Sequence, residues 1–171
     1  MQLGLIGLGK MGGNMAERLR LGGHQVVGFD FNADAVKKLT ESGNVGVPTL
    51  EELVRRLEGR RAIWIMVPQG APVDETIAKL EPLLNKGDIL IDGGNSYYKD
   101  TMRRYKEVTA KGFEFLDVGT SGGVWGLKEG YSMMIGGKKD AVEYLRPIFE
   151  HSPPARTWDG DMLAQVARAT L

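Results

Sequence analysis

Residues 7–12 read Gly7-Leu8-Gly9-Lys10-Met11-Gly12, and what stands on either side of them decides the fold. Upstream, Leu3 to Ile6 is a short apolar run suited to a buried strand; downstream, Asn14 to Leu21 carries the apolar spacing of a helix that Gly22-Gly23 ends. A G-x-G-x-x-G turn in that setting gives each glycine its own task. The first permits the turn, the second admits a pyrophosphate, and the third lets helix and strand approach. Backbone donors at the helix start then face the phosphate charge. Gly7, Leu8, Gly9, Lys10, Met11 and Gly12 are therefore candidate dinucleotide contacts, with Lys10 either adding a favourable charge or simply facing solvent.

The same alternation continues outward from this unit. Gln25 to Phe29 reads as a strand, after which Asn32 can cap a helix through Ala33, Val36 and Leu39. Helices are expected over Leu50 to Leu57, Pro72 to Leu84 and Thr101 to Ala110, and strands over Ala62 to Val67, Asp88 to Asp92 and Phe113 to Val118. Runs such as Ile63-Trp64-Ile65-Met66-Val67 are apolar on both faces, as parallel strands under two layers of helices must be. The fold class is α/β, a Rossmann-like doubly wound, mostly parallel sheet with flanking helices. Beyond it, Gly119 to Gly130 reads as loop, Ser132 to Ile135 as a strand ended by Gly136-Gly137, and Asp140 to Phe149 as a helix. Residues 1–158 form the expected dinucleotide-binding domain. Residues 159–171 form a short terminal helical segment whose Met162, Leu163, Val166 and Leu171 either pack on the same domain or meet a partner.

Composition narrows the function classes. In 171 residues, 42% hydrophobic and 26% charged, there is room for one ordinary domain with a real core. The 22 basic and 22 acidic residues cancel, which argues against a general nucleic-acid binder. No stretch reaches the roughly 18 apolar residues of a membrane span, and the N-terminus lacks the charged start of a secretory signal, so the expectation is no membrane and a cytoplasmic location. With no cysteine, disulfides, thiolate catalysis and cysteine-ligated metal centres are excluded; His24 and His151 are separated and no metal site is expected. Glycine is in excess at 24 residues, about twice the usual share of roughly 7%.

Asp30 ends the second strand about 20 residues past the glycine turn, where a carboxylate can accept hydrogen bonds from both adenine-ribose hydroxyls. That favours NAD, because the extra phosphate of NADP would bring like charges together and Phe31 offers no compensating cation. The bland alternative for Asp30 is a helix cap or a surface acid. Val67, Pro68 and Gln69 leave the next strand toward a helix and can wall the cofactor, while Asp92-Gly93-Gly94-Asn95-Ser96 joins a strand end to a polar turn. Asn95 can orient a substrate or the nicotinamide amide, or close an Asx turn. Either Tyr97 or Tyr98 can contact ligand, while at least one is expected to pack at the start of the following helix.

Four stretches taken together, Gly7 to Gly12, Met66-Val67-Pro68-Gln69-Gly70, Ile91-Asp92-Gly93-Gly94-Asn95-Ser96 and Gly119-Thr120-Ser121-Gly122-Gly123-Val124-Trp125-Gly126, resemble decarboxylating 6-phosphogluconate dehydrogenase over about residues 1–158. Asp30-Phe31 makes the chain look most like the NAD-preferring branch, whose NADP-preferring counterparts usually have asparagine and arginine there. The resemblance implies NAD as cofactor and oxidation of 6-phosphogluconate at C3, with loss of carbon dioxide to give ribulose 5-phosphate. It also implies a homo-oligomeric parent enzyme. By the same resemblance Asn95, Ser121, Gly122 and Gly123 contact substrate; read by itself, Ser121-Gly122-Gly123 is more readily a flexible turn.

After Trp158 the sequence departs from the family's pattern, and its lysine, histidine, asparagine and glutamate of catalysis have no matching residues here. No catalytic residue is assigned, and little turnover is expected of this chain by itself. Two other readings stand beside the first. One is a β-hydroxyacid dehydrogenase acting on another small acid, which shares the glycine turn and the serine-glycine-glycine motif. The other is a non-enzymatic, NAD-responsive module whose terminal helix docks on a partner.

Overall fold

A computed structural model describes residues 1–122 and 126–150. Seven strands form one sheet: β1 (Gln2–Ile6), β2 (Gln25–Phe29), β3 (Val45–Gly46), β4 (Ala62–Ile65), β5 (Ile89–Asp92), β6 (Glu114–Ser121) and β7 (Ser132–Gly137). Their order is β3-β2-β1-β4-β5-β6-β7. All neighbours run parallel except the last pair, where β7 returns antiparallel to β6 with Val118 opposite Ile135 and Ser121 opposite Ser132. Winding from β1 goes first toward β3 and then, from β4, the other way. The point of reversal lies between β1 and β4, the place where doubly wound sheets hold their ligand crevice, outside the carboxyl ends of the strands.

The helices are α1 (Lys10–Leu21), α2 (Ala33–Glu41), α3 (Leu50–Arg56), α4 (Ala71–Leu80), α5 (Tyr98–Ala110), α6 (Gly126–Glu129), α7 (Lys139–Tyr144) and α8 (Arg146–Glu150). Side chains alternate across the sheet, so each face builds its own core. Leu3, Leu5, Trp64 and Ile91 pack with Met15 and Leu19 of α1, Leu39 of α2 and Phe149 of α8. Ile6, Val27, Ile63 and Leu90 pack on the other face with Leu53 of α3, Val73 and Ile77 of α4 and Val108 of α5. The doubly wound, mostly parallel architecture expected from the sequence is present.

Several boundaries differ, each for a physical reason. Helix α1 starts at Lys10 rather than Asn14, so the second half of the glycine motif is already helical. Strand β3 has only two residues, too few to show an alternation. The Pro72 to Leu84 helix stops at Leu80 and tightens into a 3-10 turn at Glu81–Leu83, where Pro82 removes a backbone donor. Strand β6 runs on through Gly119 to Ser121, and Gly136-Gly137 continues β7 instead of ending it, because the antiparallel pairing satisfies both stretches. The Asp140 to Phe149 helix is split at Leu145, with Pro147 unable to continue the ladder. The expected terminal helix, the 159–171 segment and His151 lie outside the described residues. Among the described residues no helix is long and apolar enough to cross a membrane.

Candidate functional site

The glycine turn sits at the reversal point, between the end of β1 and the start of α1. Gly7 has φ 93°, a backbone conformation that side chains resist, and its N–H donates to Phe29 O at 3.0 Å. A side chain there would also press on Met66 O of the neighbouring strand exit. At Gly12 a Cβ would overlap the Gly7 carbonyl oxygen, so this glycine is what lets α1 lie against the turn. Gly9, which caps α1, is different: a Cβ there would meet nothing within 4 Å. Two glycines are needed by the fold, and the remaining one faces open space.

Around that opening, α1 begins with no acidic residue in its first turn and, among the described residues, no side-chain cap, which leaves its electropositive end suited to an anion. The Leu8 side chain is buried in the core beside Gly28, so its share in any ligand contact is backbone. Met11 is partly buried against the same core, and Lys10 is exposed.

Asp30 follows β2 and is half-buried. Its Oδ2 accepts the Leu8 N–H at 2.6 Å and its Oδ1 accepts the Asn32 N–H at 2.8 Å. The α2 cap is Asn32, whose side chain accepts the Asp34 N–H at 2.9 Å, so Asp30 is not serving as that cap. Each carboxylate oxygen keeps a second lone pair for a hydroxyl donor. Phe31 is 78% exposed beside it, and Lys79 of α4 holds its ammonium 5.5 Å from the Phe31 ring. Nothing local to Asp30-Phe31 signals this cation, since Lys79 stands far along the chain on α4.

Next along the edge, Val67 is half-buried while Pro68 and Gln69 are exposed, and Gly70 with φ 90° turns the chain into α4. The turn after β5 packs against this exit: a Cβ on Gly94 would press on Val67 O. Asp92, fully buried, closes the turn by accepting the Gly94 N–H on Oδ1 at 3.0 Å and the Ser96 hydroxyl on Oδ2 at 2.7 Å. The Asx turn is therefore made by Asp92. Asn95, at φ 54°, instead directs its amide to β6, where Oδ1 accepts the Thr120 N–H at 2.9 Å and Nδ2 donates to Thr120 O at 3.2 Å. Ser121 is exposed at the end of β6 and Gly122 follows at φ 137°; Gly123 lies outside the described residues. Met134 of β7, 71% exposed, and Asn95 both border the space that a Cβ on Gly119 would fill.

Behind these strand ends lies Arg104 of α5, 1% exposed. Its guanidinium makes five hydrogen bonds: Nε to Asp74 Oδ1, Nη1 to Asp92 Oδ2 and Ser96 Oγ, and Nη2 to Gly70 O and Asp74 Oδ2. Hydrogen bonding to Arg104 holds the Asp74 carboxyl below its ordinary range. Asp117 of β6 stands in register beside Asp92. Burial, helped by the Asp92 charge, pushes the Asp117 carboxyl up to about 6, against the opposing pull of the Thr101 hydroxyl and the Arg104 charge.

Other sequence candidates lie elsewhere. His24 is buried against the Met1 amino group at 3.2 Å, at the opposite end of β1 from the glycine turn. Tyr97 and Tyr98 stand at the start of α5, 51% and 60% exposed, with their rings packed edge to face 4.8 Å apart. Among the described residues there is no cluster of metal-ligating side chains.

Residues 2–159 match the family model described as the NAD binding domain of 6-phosphogluconate dehydrogenase. A putative 6-phosphogluconate dehydrogenase of Bacillus subtilis is 44% identical over 149 residues, which are 87% of this chain and 50% of that protein. The NAD(+)-dependent, decarboxylating 6-phosphogluconate dehydrogenase of Haloferax volcanii is 42% identical over 88% of this chain and 49% of its own length. The chain thus spans about half the length of these curated relatives. Among solved structures, Plasmodium falciparum 6-phosphogluconate dehydrogenase superposes with a TM-score of 0.83 at 33% identity, covering 91% of this chain and 35% of that one. Mycobacterium tuberculosis 3-hydroxyisobutyrate dehydrogenase gives 0.81 at 25% identity, covering 89% and 52%.

Proposed function

The chain belongs to the family of the NAD binding domain of 6-phosphogluconate dehydrogenase, and from that premise we propose that it supplies the cofactor domain and part of the substrate site for NAD-dependent oxidative decarboxylation of 6-phosphogluconate. The cofactor, when bound, accepts a hydride from the substrate carbon. The chain's own groups supply binding and orientation. The first-turn N–H groups of α1, around Gly9, are proposed to take the pyrophosphate, and Asp30 the adenine ribose. Val67, Pro68 and Gln69 wall the nicotinamide side. Asn95, Ser121 and Gly122, at the far end of the same edge, are proposed to hold substrate oxygens, and Gly123 is proposed with them on the sequence motif alone.

The observation that carries this reading is Gly9. Gly7 and Gly12 are explained by the fold's own crowding, whereas the space in front of Gly9 is open and bordered by backbone donors of a helix start. The order along the edge also suits a dinucleotide: Asp30 after β2, the turn after β1, Val67 to Gln69 after β4, Asn95 after β5 and Ser121 at the end of β6. Preference for NAD over NADP is supported by the Asp30 carboxylate, while Lys79 near Phe31 limits how complete that preference is.

The test is a titration of the purified chain with NADH and NADPH, followed by a substrate panel with NAD. Tighter binding of NADH is expected, and absence of NADH binding would overturn the reading. The likeness to 3-hydroxyisobutyrate dehydrogenase favours a β-hydroxyacid dehydrogenase as the second reading. In the panel, retention of 6-phosphogluconate over 3-hydroxyisobutyrate on the NAD-loaded chain supports the first, and the reverse order supports the second.

A further inference from the structure

Two loops border the inner half of the crevice, one entering α4 and the other leaving β5, and a single buried side chain is bonded to both. Arg104 donates to Gly70 O at 3.0 Å and to both Asp74 oxygens at 2.8 and 3.1 Å on the first loop and helix. On the second it donates to Asp92 Oδ2 at 3.1 Å and Ser96 Oγ at 3.0 Å. All five guanidinium N–H groups are thereby used, and α5 carries the clamp from behind the strand ends. The connection does not stop at the turn. Asn95 lies between Gly94, held by Asp92, and Ser96, held by Arg104, and its amide grips the Thr120 backbone just before Ser121.

We propose that Arg104 is a positioning residue for the nicotinamide and substrate half of the crevice, fixing the Gly70 loop and the Asp92–Ser96 turn to each other and, through Asn95, to the end of β6. The proposal rests on the crevice being the cofactor site. Arg104 has no bond to Gly7, Gly9, Gly12 or Asp30 among the described residues, so the adenosine half is set independently, by the Leu8 to Asp30 and Gly7 to Phe29 bonds. Charge alone is not the point. A lysine could neutralise buried Asp92, but its compact ammonium cannot reproduce a planar fork that spans two loops with fixed geometry. Small displacements of groups that orient reactants cost far more in alignment than in stability.

The experiment is Arg104→Lys in the 171-residue chain, with ADP as probe of the adenosine half and NADH as probe of the whole crevice. ADP affinity is expected within about twofold of the unaltered chain and NADH affinity lower by on the order of tenfold. Parallel losses for both ligands, or no loss for either, would overturn the proposal. Amide hydrogen exchange without ligand gives a second readout. Gly94 and Thr120 are expected to exchange faster while Gly7 and Leu8 are unchanged, and unaltered Gly94 and Thr120 count against Arg104. Should Arg104→Lys fail to fold, Ser96→Ala removes one arm and keeps the buried charges paired; it is expected to show the same pattern more weakly, and a uniform or absent effect overturns the clamp. Failure of the unaltered chain to bind ADP and NADH would count against the cofactor reading, which the exchange result does not depend on.

Discussion

Asn95 and Thr120 are joined reciprocally, side-chain amide to main-chain amide, with Oδ1 accepting at 2.9 Å and Nδ2 donating at 3.2 Å. Functionally, the turn after β5 behaves as an added rung on β6. Replacing Asn95 by Ala removes both bonds and leaves a β-carbon at φ 54°; a loss of about 1–3 kcal/mol is expected. Asn95→Gly loses the same bonds but accepts the backbone, so it is expected to be milder by roughly 1 kcal/mol. Urea unfolding of both variants checks the order; equal losses would show that the backbone conformation costs nothing there.

The three motif glycines separate fold from ligand. Gly9→Ala introduces a methyl into open space and is expected to shift stability by no more than about 0.5 kcal/mol while weakening NADH binding on the order of tenfold or more. Gly12→Ala forces a β-carbon into the Gly7 carbonyl and is expected to destabilise by about 1–3 kcal/mol with ligand absent. Thermal melts with and without NADH measure both quantities. A stable Gly12→Ala or an unimpaired Gly9→Ala contradicts this division.

Asp30→Asn keeps one acceptor oxygen where the fold uses two, for Leu8 and Asn32. A modest stability loss of about 1 kcal/mol is expected, together with a raised ratio of NADPH to NADH affinity, because the negative charge opposing a 2′-phosphate is gone. Paired titrations read the ratio directly. If it does not move, Asp30 does not select the cofactor.

Asp117 gives stability a pH slope whose sign follows from its raised pKa. Its carboxyl moves from 3.8 to about 6 on folding, so between those values the folded chain holds a proton that the unfolded chain has released. The contribution is complete below 3.8 and is lost as pH rises toward 6, by on the order of 2–3 kcal/mol. Asp92 on β5 and Arg104 and Thr101 on α5 are the charged and polar groups facing it. Asp117→Asn is expected to flatten that segment of the curve and to gain stability at pH 7 to 8. Denaturant unfolding from pH 4 to 8 decides; an unchanged slope in the variant would assign it to another group.

Strand and helix alternation around Gly7 to Gly12 was legible because apolar runs and glycine punctuation are local signals, and Asn32 was readable as a cap for the same reason. What stayed hidden depends on distance in sequence. Val45–Gly46 is too short to show a period, and β7 is held in strand form through Gly136-Gly137 by pairing with Leu116 and Asp117. Arg104 looks like any helix arginine until Gly70, Asp74, Asp92 and Ser96 are brought to it, and Asp117 like any polar residue in a strand until Asp92 lies beside it. The site residues themselves were recognisable as types at strand ends. Their bonding was not: Asn95 is tied to Thr120, and Asp30 to Leu8, by folding alone.

Trp64 has none of its surface exposed, and Phe149 of α8 meets its ring edge-on at 5.7 Å. During synthesis the strands β1, β2, β4 and β5 leave the ribosome well before the residue that seals the indole. A nascent chain therefore carries an uncovered aromatic face on its central strand until α8 has emerged, and it is expected to gain protease resistance late and in one step. Ribosome-arrested chains extended by C-terminal spacers that hold Phe149 either inside or outside the exit tunnel, compared by limited proteolysis, would show that step; resistance acquired once β5 has emerged would mean that the other face of the sheet suffices.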